Sequence, residues 1–246
     1  MVSPTLDFEY QIKKSKRKTF AITIDLKGQV VVRSPFRASQ DKILNILNQH
    51  QDWVRQKIHQ SQQKANKVKA KKFVTGEKFL YLGKQYKLEV IQANTKKQGL
   101  ALVQEASDDG KFILNTKTNH KSIEDLASFR SWAKVVFESW YQQKAAEIIT
   151  TKVESLAKLH QINFNKIGIS KAKTSWGSCS KNNCLRFSWR LIMAPPKVID
   201  YVAIHELCHV EHKNHSQIFW QKVALLFPEF RKAKSWLKNQ GYLLEI

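Results

Sequence analysis

Between Phe20 and Arg33 apolar and polar side chains alternate, first through Phe20, Ile22 and Ile24 and then, beyond Lys27-Gly28, through Val30 and Val32. A period of two on both sides of a glycine turn predicts a β-hairpin over 20–33. Past Pro35 the period lengthens: Ile43, Leu44, Leu47, Val54 and Ile58 recur at three- and four-residue steps, which predicts one amphipathic helix over about 39–69. Alternation returns after Gly76, in 78–82, a Gly83-Lys84 turn, 85–91 and 111–114. Residues 1–120 therefore read as a mostly β accessory domain with one long helix.

From about 123 to 159 the apolar positions Leu126, Phe129, Ala133, Val136, Trp140, Ile148, Val153 and Leu156 predict a long helix or two consecutive ones. A second domain, 121–246, opens with it. A short strand over 165–170, a loop over 171–183 and a strand over 185–193 follow, the last with Leu185, Phe187, Trp189 and Leu191 on one face. Pro195-Pro196 ends that strand and opens a helix, because proline fits a first helical turn. A break at Lys213-Asn214, a helix to about Phe227 and a last helix between Pro228 and Gly241 complete the chain. The fold class is α+β.

In that penultimate region lies the densest chemistry. His205-Glu206-Leu207-Cys208-His209 spells HExxH, and His212 and His215 follow, so four of the eight histidines occupy eleven residues. On a helix His205 and His209 lie about one turn apart on one face, the spacing that brings two ring nitrogens to one ion at roughly 2.0–2.1 Å. Glu206 between them reaches a water without ligating, the position of a general base. A catalytic zinc takes three protein ligands and an open position. His215 is the candidate third ligand, yet six residues of unbroken helix would carry it about 9 Å from His209. The chain must turn, and Asn214 suits a left-handed or capping position, with a new helix starting around His215. Glu229, at the start of the last helix, is the competing third ligand, although an acid there has its own electrostatic reason to be present. Metzincins share the histidine spacing but need a glycine at the turn, where His212 stands, and a later methionine, whereas none follows Met193.

Composition narrows the setting. The 246 residues are 42% hydrophobic, enough for a packed core, and no run approaches the roughly 20 apolar residues of a spanning helix. Met1 to Asp7 show no charged-then-apolar leader, so a cytoplasmic location without membrane partners is expected. Cys179, Cys184 and Cys208 match no disulfide framework and should be reduced. The net charge of +22 is spread over both halves, 23 basic and 10 acidic residues in 1–120 against 19 and 10 in 121–246. Such a surface attracts nucleic acid or another polyanion, or is simply solvated.

From Ser175 to Trp220 the chain resembles the YgjP-like metallopeptidases, relatives of the WLM and SprT-type zincins. The resemblance rests on Ser175-Trp176-Gly177-Ser178-Cys179, the stretch 185–196, His205-Glu206-Leu207-Cys208-His209, Asn214-His215-Ser216 and Phe219-Trp220. It implies a zincin-like fold, one Zn2+ per chain held by His205, His209 and His215, Glu206 as catalytic acid and base, and a peptide or protein substrate. Family members commonly carry arginine where Ser175 stands. Trp176, Cys179 and His212 are the candidates for lining the substrate site, and the strand over 185–193 is the expected edge for pairing with an extended peptide. Some relatives digest proteins crosslinked to DNA, so a DNA-linked protease is one variant of this reading. The alternative from another class is a nucleic-acid-associated protein with a structural zinc. A structural site is normally closed by four ligands, and three with a free glutamate favour the enzyme.

Overall fold

The computed structural model describes residues 6–25, 27–67, 70–92, 98–103, 110–117 and 123–246. They form two compact units, Met1–Lys69 and Ala70–Ile246. In the first, β2 (Ala21–Ile24) and β3 (Val30–Pro35) make the expected antiparallel hairpin, with Ile22 opposite Val32. Leu26, assigned to that hairpin by its alternation, lies outside the described residues. Asp25 caps the turn, its Oδ1 accepting from the backbone N–H of Lys27 and Gln29 at 2.9 Å each. A strand that periodicity did not reveal, β1 (Tyr10–Ser15), lies parallel to β3 on its other side. Exposed Lys13 and Lys14 follow one another in it, one on each face, which hides the period of two.

The expected single helix is two, α1 (Gln40–Gln49) and α2 (Gln51–Lys67), broken at His50, whose ψ of 14° leaves the helical region. Ser39 caps α1 by accepting from Lys42 N–H at 3.4 Å. Ile43 and Leu47 pack with Val32 and Ala38 into a small core. The end of the expected helix at 68–69 lies outside the described residues.

The second unit holds a four-stranded sheet of order β4-β5-β7-β6: β4 (Lys78–Tyr81), β5 (Lys84–Gln92), β6 (Gly99–Val103) and β7 (Lys111–Thr116). Against it lies α3 (Ile123–Leu159), one continuous helix. The rings of Phe79 and Phe137 stack at 4.3 Å, and the Tyr141 hydroxyl donates to the Leu80 carbonyl at 2.6 Å. This aromatic seam moves the division of the chain from the expected 120/121 to 69/70. Residues 118–122 lie outside the described set, but β7 and α3 on either side of them share one core.

The turn between β4 and β5 is Leu82-Gly83, both at positive φ (49° and 79°), one residue earlier than the expected Gly83-Lys84. Leu82 and Gly83 donate their N–H groups to the carbonyls of Ile192 and Met193 at 2.9 and 3.1 Å. A Cβ on Gly83 would sit 2.8 Å from Pro195 Cα. Gly83→Ala combines left-handed strain with a backbone clash and is expected to cost about 2–3 kcal/mol, about 4–10 °C in Tm for a chain of this size. Thermal unfolding checks it, and a Tm within 1 °C of wild type would show that the tip can lift from Pro195 freely.

Three short strands complete the frame in the order β8-β10-β9: β8 (Lys166–Ser170), β9 (Gly177–Cys179) and β10 (Cys184–Ser188). β10 stops at Ser188, and Trp189–Met193 form a short 3-10 helix rather than the expected continuation. All five of those residues are buried, so the apparent alternation was a segment enclosed on every side. The expected substrate edge is thereby corrected: β10 is central, paired parallel to β8 and antiparallel to β9, and the two edge strands are β8 and β9. Helices α4 (Pro196–Glu211), α5 (Gln217–Leu226) and α6 (Phe230–Gln240) follow, near their expected limits. No described helix is long and apolar enough to cross a membrane.

Candidate metal centre

Pro196 opens α4, and Val198, Ile199, Val202, Ala203, Ile204 and Leu207 bury its apolar faces, which fixes the rotation of the helix. His205 and His209 then emerge together on one face. The helix ends at His212, and Asn214 makes a side-chain turn by accepting from Ser216 N–H at 3.3 Å. This bend brings His215 back toward the other two. His215 precedes α5, whose cap position is Ser216, so it sits just outside the new helix rather than in its first turn.

The three Nε2 atoms converge: His209 to His215 is 3.1 Å and His215 to His205 is 3.0 Å. Ring nitrogens that close share either a proton or a cation, and tetrahedral zinc would space its nitrogens by about 3.3 Å at the usual bond lengths. His209 Nδ1 donates to the His212 carbonyl at 2.8 Å, which leaves its Nε2 lone pair free for a metal. His205 Nδ1 is buried without a hydrogen-bond partner, and burial, followed by the other two histidines, pushes its pKa down to about 3. His205 is therefore neutral and suited to ligation. Buried Phe219 stacks on His209 at 4.4 Å and Trp220 on His215 at 5.6 Å, a rigid aromatic floor for the cluster. These residues fit a metal ion.

Glu206 is 5% exposed, and burial pushes its carboxyl up to about 8. It lies beneath β9: a Cβ on Gly177 would stand 2.6 Å from both Cγ and Oε1 of Glu206. Only a residue without a side chain lets strand and carboxylate approach so closely. The strand is pinned by Ser188 N–H donating to the Trp176 carbonyl at 2.9 Å. Tyr201, one turn before His205 on α4, is buried beside them, and burial pushes its phenol up to about 12, so the hydroxyl keeps its proton.

Residues 18–240 match the YgjP-like metallopeptidase domain. The chain belongs to the YgjP-like family. Two solved structures are also similar to it. The metallopeptidase zymogen abylysin of Pyrococcus abyssi is 20% identical over 38% of this chain and 96% of its own, with a TM-score of 0.35. The metallopeptidase zymogen jannalysin of Methanocaldococcus jannaschii is 23% identical over 37% and 95%, with a TM-score of 0.34. No curated protein matches the chain. This YgjP-like protein has an α+β fold and is a metallopeptidase, a hydrolase of peptide bonds acting on peptide or protein.

The remaining candidates fall in distinct places in this YgjP-like protein. Trp176 is half-buried against the core and also lines a cavity beside His205 and Glu206. Cys179 ends β9, and the Lys213 ammonium donates to its sulfur at 3.4 Å. Burial, only partly opposed by Lys213, raises the pKa of that thiol. His212 contributes its carbonyl, the acceptor that orients His209. Glu229 accepts from Lys197 at 2.8 Å and from Lys232 at 3.1 Å, which gives it partners other than the histidine cluster. Cys179, Cys184 and Cys208 are all free thiols. Sequence reading missed Gly177, Tyr201 and Lys234 as parts of the site. For Tyr201 a signal existed, since it stands four residues before His205 on the same helix.

Proposed function

We propose that this enzyme is a zinc peptidase in which His205, His209 and His215 hold one Zn2+ per chain and Glu206 is the catalytic acid and base. The observation that supports this reading best is the convergence of three Nε2 atoms beside a buried carboxylate. Zinc in that position supplies Lewis acidity, polarising a peptide carbonyl and making water acidic near neutral pH.

The chain's own groups account for the rest. Glu206 accepts the proton of the attacking water at a carboxylate oxygen and later delivers it to the leaving amine nitrogen. Its burial supports both roles, because a carboxylate withdrawn from water holds a proton more readily than an exposed one. Gly177 leaves the carboxylate its place, and the free edge of β9 offers backbone groups to an extended peptide, favouring main-chain recognition. Buried Phe219 excludes water from beneath the imidazoles.

Metal content by elemental mass spectrometry tests the reading, after zinc reloading and desalting. Wild type is expected to carry one zinc per chain and His215→Ala a small fraction of that. Equal zinc in both would remove His215 from the ligand set, and none in wild type would overturn the zinc assignment.

A further inference from the structure

A cavity of about 280 Å³ opens beside the histidine cluster, with an apolar wall formed by Trp176, Tyr201, Val202 and Leu237. His205 and Glu206 line it as well. A group filling it is therefore attached to an atom close to the bond that Glu206 serves. Its size is at the lower limit of the roughly 300–1,000 Å³ of small-molecule pockets, which suits one large side chain rather than a folded segment.

Lys234 of α6 lines the same cavity. Its ammonium sits 3.9 Å over the ring of Trp220, and that ring stacks on His215. Contact with an aromatic face fixes a cation without neutralising it. Other lysines of this region are paired: Lys197 and Lys232 with Glu229, and Lys222 with Glu211. Lys234 has no carboxylate partner among the described residues. An aromatic-walled cavity with one held, unneutralised cation has the recognition chemistry of an apolar side chain accompanied by an anion. On a peptide that anion is a carboxylate.

We propose that the cavity receives the substrate side chain next to the scissile bond and that Lys234 binds a substrate carboxylate, carried by the peptide's C-terminus or by an adjacent acidic side chain. The proposal rests on the peptidase reading and names its substrate class. Charge-assisted pairing of this kind corresponds to a preference of about 10- to 100-fold.

The zinc-loaded full chain would be assayed on benzoyl-Gly-Phe, benzoyl-Gly-Phe-amide and benzoyl-Gly-Phe-Glu-amide. One of the two carboxylate peptides is expected to exceed the neutral amide about 10- to 100-fold in kcat/KM, and which one identifies the source of the carboxylate. In Lys234→Met that ratio should collapse toward one, and Lys234→Glu should invert it. Leu237→Trp, which narrows the cavity, should shift preference from Phe to Ala in the same peptide. Calorimetric binding of the same peptides to the metal-free protein gives a readout independent of turnover, with the same order expected and the same loss in Lys234→Met. A ratio unchanged by Lys234→Met, or a wild type with no carboxylate preference in either measurement, would overturn the proposal. Carboxylate binding that depends on Lys234 without hydrolysis of any peptide would overturn the peptidase reading and leave the anion site standing.

Discussion

Glu206→Gln is expected to lower kcat/KM for peptide hydrolysis by about 10²- to 10⁴-fold, the range that a positioned general base contributes. Glutamine keeps the volume and the hydrogen-bonding oxygen but cannot take a proton from water. The metal content of the variant should match wild type, because the three imidazoles are untouched. Peptide turnover and elemental analysis on the same preparation check both halves of the expectation. Near-wild-type turnover at full metal occupancy would place the proton acceptor elsewhere.

A second large effect is expected from one methyl group on β9. Gly177→Ala puts a carbon 2.6 Å from Cγ and Oε1 of Glu206, and because Glu206 is 5% exposed its side chain has little room to retreat. Displacement of a reacting group by about 1 Å costs on the order of 10²-fold in rate. Turnover of Gly177→Ala should fall by about that factor and Tm by a few degrees, since overpacking costs about 1–3 kcal/mol, while zinc content stays close to wild type. Loss of zinc along with activity would mean that β9 supports the histidines and not the carboxylate. The two variants separate chemistry from placement: Glu206→Gln removes the proton acceptor where it stands, and Gly177→Ala moves it intact.

Much of this site was legible in the chain because its information is local. HExxH needs only helical spacing, and the apolar positions 198–207 supply a helix whose rotation is fixed by burial. The bend that returns His215 was readable from Asn214, which ends by bonding Ser216 N–H. Proline and glycine marked the limits of α4 and α6 for steric reasons. What escaped was long-range. β9 is three residues in a polar loop, too short to show a period, and it is a strand only because Leu185 and Phe187 of β10 pair with it. Gly177 then looks like any turn glycine until Glu206 is placed beneath it. Lys234 lies on an exposed helix face among other lysines, and its separation from them arises from tertiary neighbours. The 120/121 boundary failed for a related reason: a change from strands to helices resembles a domain boundary, whereas the aromatic faces of β4, β7 and α3 close on one another.

The hairpin tip at Leu82-Gly83 has a consequence for inheritance. Its two N–H groups hold the carbonyls of Ile192 and Met193, four and three residues before the helix that carries the histidines starts at Pro196. A recombination event joining relatives near residue 120 would give that tip and its landing site different ancestries, and an exchange near residue 70 would keep them together. Modular shuffling in this lineage should therefore treat the four-stranded sheet and the histidine helix as one heritable block.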